Sequence, residues 1–240
     1  MADNISDLPT SKNLMPAPFD WINIPNKGYS MAKYPVTNAQ FAKFTEAGGY
    51  HTERWWTKGG WQQKQKDSWK EPCFWQDSTF NSDTQPVVGV SWYGAVAFCL
   101  WLSDITGEKI MLPTEDQWQY AAQGDDGRVY PWGNDWDGSR CHNSVGDNNP
   151  DRTSSVILYE SKGASPFGVV DMAGHVWEWC LTDYDTQTNN FSLSANRRTL
   201  RGGSWVETDS DAFRCDYQIG YDPPFAYPYS GFRIVRTENK

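Results

Sequence analysis

The sequence predicts a single α+β domain with short strands, two to three helices and long irregular stretches between them. Residues 21–24 alternate in polarity and end at a proline, which is typical of a short strand. Helix-start signals occur at three other places, whereas residues 50–81 show no periodicity. The 240 residues contain neither an internal repeat nor a clear linker, so one domain is favoured over two.

Each of the three helices is predicted from its first residue. Thr37 and Gln40 have the spacing of a capping box, and a glycine pair at 48–49 follows the expected end of that helix. Ser91 caps a second helix, which Gly107 terminates. A second capping box at 114–117 begins the third helix, directly after a short strand.

The remaining segments are assigned more simply. Residues 1–18 are polar and proline-rich, and we expect a loose N-terminal lead-in ahead of one domain at 19–240. Residues 29–34 and 212–215 are predicted to be strands. The long segment 50–81 is expected to be either functional or packed by its own aromatic side chains.

Composition limits the partners and the compartment. The net charge of −9 argues against nucleic acid and anionic membranes, so we expect a protein or small-molecule ligand, cationic or neutral. No apolar run resembles a signal peptide or is long enough for membrane insertion. The five cysteines form no C-x-x-C pair, which favours reduced thiols and a cytoplasmic location. The oligomeric state is not predicted.

The segment WEW at 177–179 presents the main puzzle of the sequence. In a strand, Trp177 and Trp179 share one face and Glu178 points to the other. Glu178 then either faces solvent at a strand edge or, if buried, needs a hydrogen-bonded, charged or metal partner.

Several separate motifs resemble the formylglycine-generating enzyme (sulfatase-modifying factor) family. They are VTNAQF at 36–41, PVVGVSW at 86–92, LPTEDQW at 112–118, PWG at 131–133, GHVWEW at 174–179, RGGSW at 201–205 and GFR at 231–233. The resemblance implies a C-type lectin fold of the formylglycine-generating subclass. It leaves the activity open, since the family includes oxidases, iron-dependent sulfoxide synthase domains and non-catalytic binding proteins.

The residues that the catalytic branches need are absent or incomplete. The oxidases resembled here act through copper held by two cysteines shortly after the Gly-Gly-Ser motif, but residues 205–213 contain no cysteine and Cys215 stands alone. The iron branch needs a histidine-rich set, and this chain has only His51, His142 and His175. The sequence therefore favours a non-catalytic protein; the alternative is a metal-dependent oxidase of the same family with unrecognised chemistry.

The resemblance also implies structural calcium. Asp171, the carbonyls of Gly174 and Val176, and the carboxylate of Glu178 match the positions of one family site, an all-oxygen set of the kind calcium prefers. A second site would draw on Asn143 and Ser144.

The stretch between the last two motifs resembles the variable proteins of diversity-generating retroelements, which use this subclass of the fold. Residues 206–230 contain no Lys, Met or Trp, and only Glu207 and Gln218 lie outside the residue types that such diversification produces. We expect a binding surface there, although the same aromatic residues could simply pack the C-terminal loop. The predicted ligand-binding residues are Glu207, Asp209, Tyr217, Tyr221, Phe225, Tyr227 and Tyr229.

Overall fold

The predicted α+β class is confirmed by a computed structural model, which describes residues 8–191 and 196–238. Its helices are α1 Ser11–Leu14, α2 Asn38–Glu46, α3 Lys58–Lys66, α4 Trp92–Thr106, α5 Glu115–Gln123 and α6 Glu160–Gly163. Its strands are β1 Trp21–Ile24, β2 Tyr29–Ala32, β3 Lys109–Met111, β4 Trp177–Asp183, β5 Arg198–Arg201, β6 Gln218–Tyr221, β7 Ser230–Gly231 and β8 Val235–Thr237. The described helices therefore outnumber the two or three expected.

Two small sheets organise these elements. The first has the order β1-β2-β8-β3 and is antiparallel throughout, so β8 lies between strands from the first half of the chain. The second has the order β6-β5-β4-β7, in which only the pairing of β4 with β7 is parallel. The segment joining β6 to β7 therefore leaves one edge of the second sheet and returns to the other.

All three predicted helix starts are present. Thr37 and Thr114 form complete capping boxes at the beginning of α2 and α5, and Ser91 caps α4, which ends at Gly107 in a left-handed conformation. Because these signals depend on local hydrogen bonds, they were readable without tertiary information.

One local prediction was wrong, and one helix was not predicted. Residues 212–215 are not a strand, because Ser210–Phe213 forms a 3-10 helix that Asp209 caps through its carboxylate. The segment 50–81 contains α3, whose sequence KGGWQQKQK has a single apolar side chain and thus no helical periodicity. Capping by Thr57 begins α3.

The core is rich in aromatic side chains. Trp177 and Trp179 enter one cluster with the rings of α2 and α4, while Cys180 enters a second cluster on the other face of β4. Glu178 lies on that second face and is fully buried, so the solvent-edge interpretation is excluded. Trp205, the last residue of the RGGSW motif, is only half-buried.

Contacts with the domain begin before residue 19. Residues 1–7 of the expected lead-in lie outside the described part of the chain, but Ser11 and Met15 are buried. Ser11 accepts a hydrogen bond from the Trp21 indole, and its backbone N–H donates to Glu108. Within the described residues, every helix is too short or too polar to cross a bilayer.

Candidate functional site: a buried charge centre and a C-terminal binding face

The carboxylate of Glu178 lies at the centre of the molecule on β4. The guanidinium of Arg233 donates to both of its oxygens at 2.6 Å, and the Trp118 indole donates to Oε2 at 2.7 Å. The other N–H groups of Arg233 reach the backbone carbonyls of Ala32 and Val170. A two-point, charge-assisted pair of this kind satisfies both buried charges and ties β4 to the segment after β7.

Asp171 and His175 form a second buried pair beside the first. The backbone N–H of Ser154 donates to His175 Nε2 at 3.0 Å, so Nδ1 carries the proton that His175 donates to Asp171 Oδ2 at 2.9 Å. Both residues adopt left-handed backbone conformations, with φ of 57° and 72°. Arg233 Nη2 also reaches the carbonyl oxygen of Asp171 at 3.3 Å, which joins the two pairs.

The predicted calcium ligands fit this arrangement only in part. Asp171 Oδ1 is buried without a hydrogen-bond partner, which suits one ligand to a hard cation. Glu178 does not fit, because Arg233 already engages both of its oxygens. The carbonyl of Gly174 accepts from the backbone N–H of Val176 at 3.0 Å. Residues 8–191 and 196–238 contain no group of three or more His, Cys, Asp or Glu side chains that could hold a metal ion. Calcium binding itself stays a prediction.

Asn143 and Ser144, predicted for a second calcium site, are engaged in loop contacts. The Asn143 amide group donates to the carbonyls of Gly138 and Cys141, and its oxygen accepts from the Val145 backbone. Ser144 donates through Oγ to the carbonyl of Trp205 at 2.7 Å. These bonds fix the loop after residue 141 against the start of the C-terminal segment.

The five cysteines are free, and four of them are buried. Burial raises the pKa of the Cys215 thiol to about 12, so it stays protonated and unreactive near neutral pH. Burial also raises the pKa values of Cys99, Cys141 and Cys180. Cys73 is exposed, and its pKa is raised less.

Four of the predicted binding residues form what we call the aromatic ridge, a row of contacting rings from Tyr221, Phe225, Tyr227 and Tyr229. The Phe225 ring centroid lies 4.0 Å from those of both Tyr221 and Tyr227, and the Tyr227 and Tyr229 centroids lie 5.3 Å apart. Tyr221 and Tyr227 are exposed, at 37% and 45%, whereas Phe225 and Tyr229 are half-buried. Trp179 supports the ridge from the core side, 6.3 Å from Phe225.

Glu207 and Tyr217 adjoin this ridge through Trp177. The Trp177 indole donates to Glu207 Oε1 at 2.9 Å, and its ring lies 6.2 Å from that of Tyr217. The charge of Glu207 also contributes to the raised pKa of Tyr229, after burial and the neighbouring tyrosines. Asp209 is exposed and caps the 3-10 helix, and no contact with the rings is described for it.

Gly203 shows why the segment before these loops is fixed. Its φ is +73°, and a Cβ at this position would lie 2.6 Å from the Phe213 ring. Only glycine combines that conformation with so close an approach. The side chains of residues 206–230 therefore follow a segment whose backbone conformation is fixed at Gly203.

This combination of two short, mostly antiparallel sheets and capped helices defines an α+β domain of the type that the motifs predicted. Residues 7–238 match the family model described as the sulfatase-modifying factor enzyme 1-like domain, and the chain belongs to that family. Its fold is the C-type lectin fold of the formylglycine-generating enzyme subclass.

Known relatives differ in activity. The hercynine oxygenase of Mycolicibacterium smegmatis is 31% identical over 212 residues, which cover 77% of this chain and 47% of that protein. The inactive C-alpha-formylglycine-generating enzyme 2 of Bos taurus is 28% identical over 246 residues, covering 87% and 77% respectively. The chain thus spans about half the length of the hercynine oxygenase that it matches.

Among solved structures, the Treponema denticola variable protein 1 is similar, with a TM-score of 0.63 and 19% identity. The match covers 92% of each chain. At this identity, the likeness shows a shared fold.

Proposed function

We propose that this chain is a non-catalytic ligand-binding protein whose binding surface lies in residues 206–230. In our proposal this surface is diversified, as in the variable protein of a diversity-generating retroelement. The observation that carries it is the accessibility of the seven predicted residues, four exposed and three half-buried, between the flanking residues 201–204 and 230–233, which are buried. Such a division lets side chains on the face change without disturbing the core.

The distribution of burial within the segment supports this function. Ala212, Phe213 and Cys215 are buried and hold the loop to the domain, whereas Tyr221 and Tyr227 of the aromatic ridge are exposed. Tyrosines on such a face supply large, rigid contact area at little cost in conformational entropy, as in antibody loops.

The chemistry of the described residues favours binding over oxidation. Copper-dependent oxidation in the resembled enzymes needs two adjacent thiolates. Here Cys215 is buried with a raised pKa, and no second cysteine lies within residues 205–213. His142 and His175 lie 5.3 Å apart by ring centroid, but both His175 nitrogens are already hydrogen-bonded.

Two experiments test this function. We expect no formylglycine, measured as mass loss, when the protein is incubated with copper, oxygen and a Cys-x-Pro-x-Arg peptide. Turnover that disappears in Cys215→Ser would establish the alternative, a metal-dependent oxidase.

Sequencing the adjacent DNA tests diversification: we expect a reverse transcriptase gene and a near-copy of the 3′ end of this gene. An adjacent region lacking both would contradict a diversified surface.

A further inference from the structure

We infer that α3 and the aromatic ridge form two halves of one binding face, and that its ligand is an extended basic peptide segment of a partner protein. This inference rests on the proposed function and names the chemical class of its ligand. The sequence left the role of α3 open, since the segment 50–81 was expected to be either functional or packed by its own aromatic side chains.

A groove of about 490 Å³ separates α3 from the turn that follows β6. Gln62, Gln63 and Lys66 of α3 line one wall, and Asp222, Pro223 and Pro224 line the other. Its volume is within the usual range for ligand sites, and its walls carry polar groups that can hydrogen-bond a peptide backbone.

Both walls of the groove are anchored to the first turn of α4. On one side, Gly60 of α3 packs so closely on Tyr93 that a Cβ would lie 3.0 Å from the Tyr93 ring. On the other, the carbonyl of Pro223 accepts a hydrogen bond from the Trp92 backbone N–H at 3.0 Å. The groove is therefore preformed, which reduces the entropy lost when a ligand binds.

The groove and the aromatic ridge are continuous through one turn. The Phe225 backbone N–H donates to the carbonyl of Asp222 at 2.9 Å, which closes the turn. Tyr221, the first ring of the ridge, directly precedes Asp222 on the groove wall. A peptide in extended conformation can therefore lie along both parts.

The charge on the ridge half of this face favours a basic ligand side chain there. Residues 206–230 contain five acidic residues, at 207, 209, 211, 216 and 222, against one basic residue, Arg214, which is paired with Asp216. In contrast, α3 carries three lysines, at 58, 64 and 66, and no acidic residue. Arg197, whose charge interacts with that of Asp222, is itself paired with Asp185. An arginine or lysine brought by a partner is therefore complementary to the ridge half of the face and not to α3.

Among the described residues, no lysine or arginine makes a cation–π contact with a ring of the ridge. The described residues include eight cation–π contacts, for example Lys27 over Tyr120 and Arg198 over Trp92, and none of them involves a ridge ring. An arginine guanidinium stacks favourably on exposed tyrosine faces. The basic side chain is thus placed over the ridge and the peptide backbone in the groove, where Lys66 can reach a carbonyl oxygen.

The test uses a phage-displayed library of random dodecapeptides, selected on the wild-type protein, followed by fluorescence anisotropy of the enriched peptides. We expect these peptides to contain arginine or lysine, and replacement of arginine by neutral, isosteric citrulline to weaken binding at least about tenfold. Tyr221→Ala combined with Tyr227→Ala is expected to abolish most of the binding.

Two matched variants separate the groove from the rest of α3. Gln62→Ala with Lys66→Ala changes two exposed groove residues, and we expect about a fivefold or greater loss of affinity, the scale of one or two lost hydrogen bonds. Gln65→Ala with Lys58→Ala changes the same residue types at exposed positions that do not line the groove, and affinity should be unchanged.

The outcomes distinguish failure of the basic-peptide inference from failure of the proposed function. Peptides that bind through the ridge but are indifferent to citrulline or to the groove variant would overturn the basic-peptide face and leave the proposed function standing. A selection that yields no peptide dependent on the ridge would overturn both.

Discussion

The Arg233 guanidinium donates two hydrogen bonds of 2.6 Å to the Glu178 carboxylate, and neither side chain is exposed to solvent. The two residues come from β4 and from the segment after β7, 55 positions apart. Removing one member of such a pair leaves an uncompensated buried charge, which costs far more than the pair itself contributes. The packing of the last segment against the second sheet therefore depends on this ion pair.

The first prediction follows from that pair. We expect Glu178→Gln to lower the free energy of unfolding by about 3–5 kcal/mol, because Arg233 stays buried without its counter-charge. Urea unfolding, measured once with millimolar calcium and once with a chelator, should give the same loss. A loss that occurs only with calcium would show instead that Glu178 is a metal ligand.

Glu207→Gln is the matched control. Glu207, like Glu178, accepts a hydrogen bond from an indole N–H, but it is half-buried and no ion pair is described for it. Glutamine keeps an oxygen for Trp177, so we expect a change of no more than about 1 kcal/mol.

The second prediction separates the surface from the core. Alanine at Tyr221 or Tyr227 should change the free energy of unfolding by less than about 0.5 kcal/mol, because both side chains are exposed. Trp179→Ala should cost about 3–5 kcal/mol, since it opens a cavity in the fully buried core. Thermal melting of the three variants checks this, and a tyrosine variant as unstable as Trp179→Ala would refute a freely variable surface.

A third prediction concerns thiol reactivity. In the native protein, iodoacetamide should label Cys73 alone, because the other four cysteines are buried. Labelling should be slow near neutral pH, since partial desolvation of the Cys73 sulfur raises the pKa of its thiol, although the residue as a whole is exposed. Intact mass spectrometry should show one adduct, and none in Cys73→Ser. Native labelling of Cys215 would contradict the packing described for it.

The fourth prediction is a loss of stability in alkali. The Cys215 thiol has a folded-state pKa of about 12, against about 8.5 in an unfolded chain. Between these values the unfolded chain releases its proton and the folded protein retains it, so stability is complete below about pH 8.5 and falls as pH rises. Tm measured from pH 8 to 11 should decline less steeply in Cys215→Ala than in the wild type. Equal slopes would mean that Cys215 ionises normally in the folded protein.

The parts of the fold that the sequence predicted correctly are those set by neighbouring residues. The caps at Thr37, Ser91 and Thr114 depend on bonds within one turn, and all three were identified in advance. Helix α3 was missed because Trp61 is its one large apolar residue, so its helical state follows from packing against Tyr93.

The partner of Glu178 could not be predicted from the sequence. The need for a partner was evident from a carboxylate between two indoles, but its identity depends on a contact across 55 residues. Both residues belong to motifs that were recognised, and only the three-dimensional arrangement shows that they pair. By contrast, the tyrosines could be proposed as surface residues from the composition of residues 206–230 alone, which requires no knowledge of contacts.

The position of β8 has a consequence for synthesis of the protein. Val235–Thr237 pairs with β2 on one side and with β3 on the other, so the first sheet lacks an inner strand until these residues have been made. During translation, β2 and β3 leave the ribosome long before their shared neighbour does, and their edges stay unpaired for that interval. The first sheet is therefore complete only after residues 235–237 have left the ribosome, and a nascent chain stalled before residue 235 would present unpaired strand edges to chaperones.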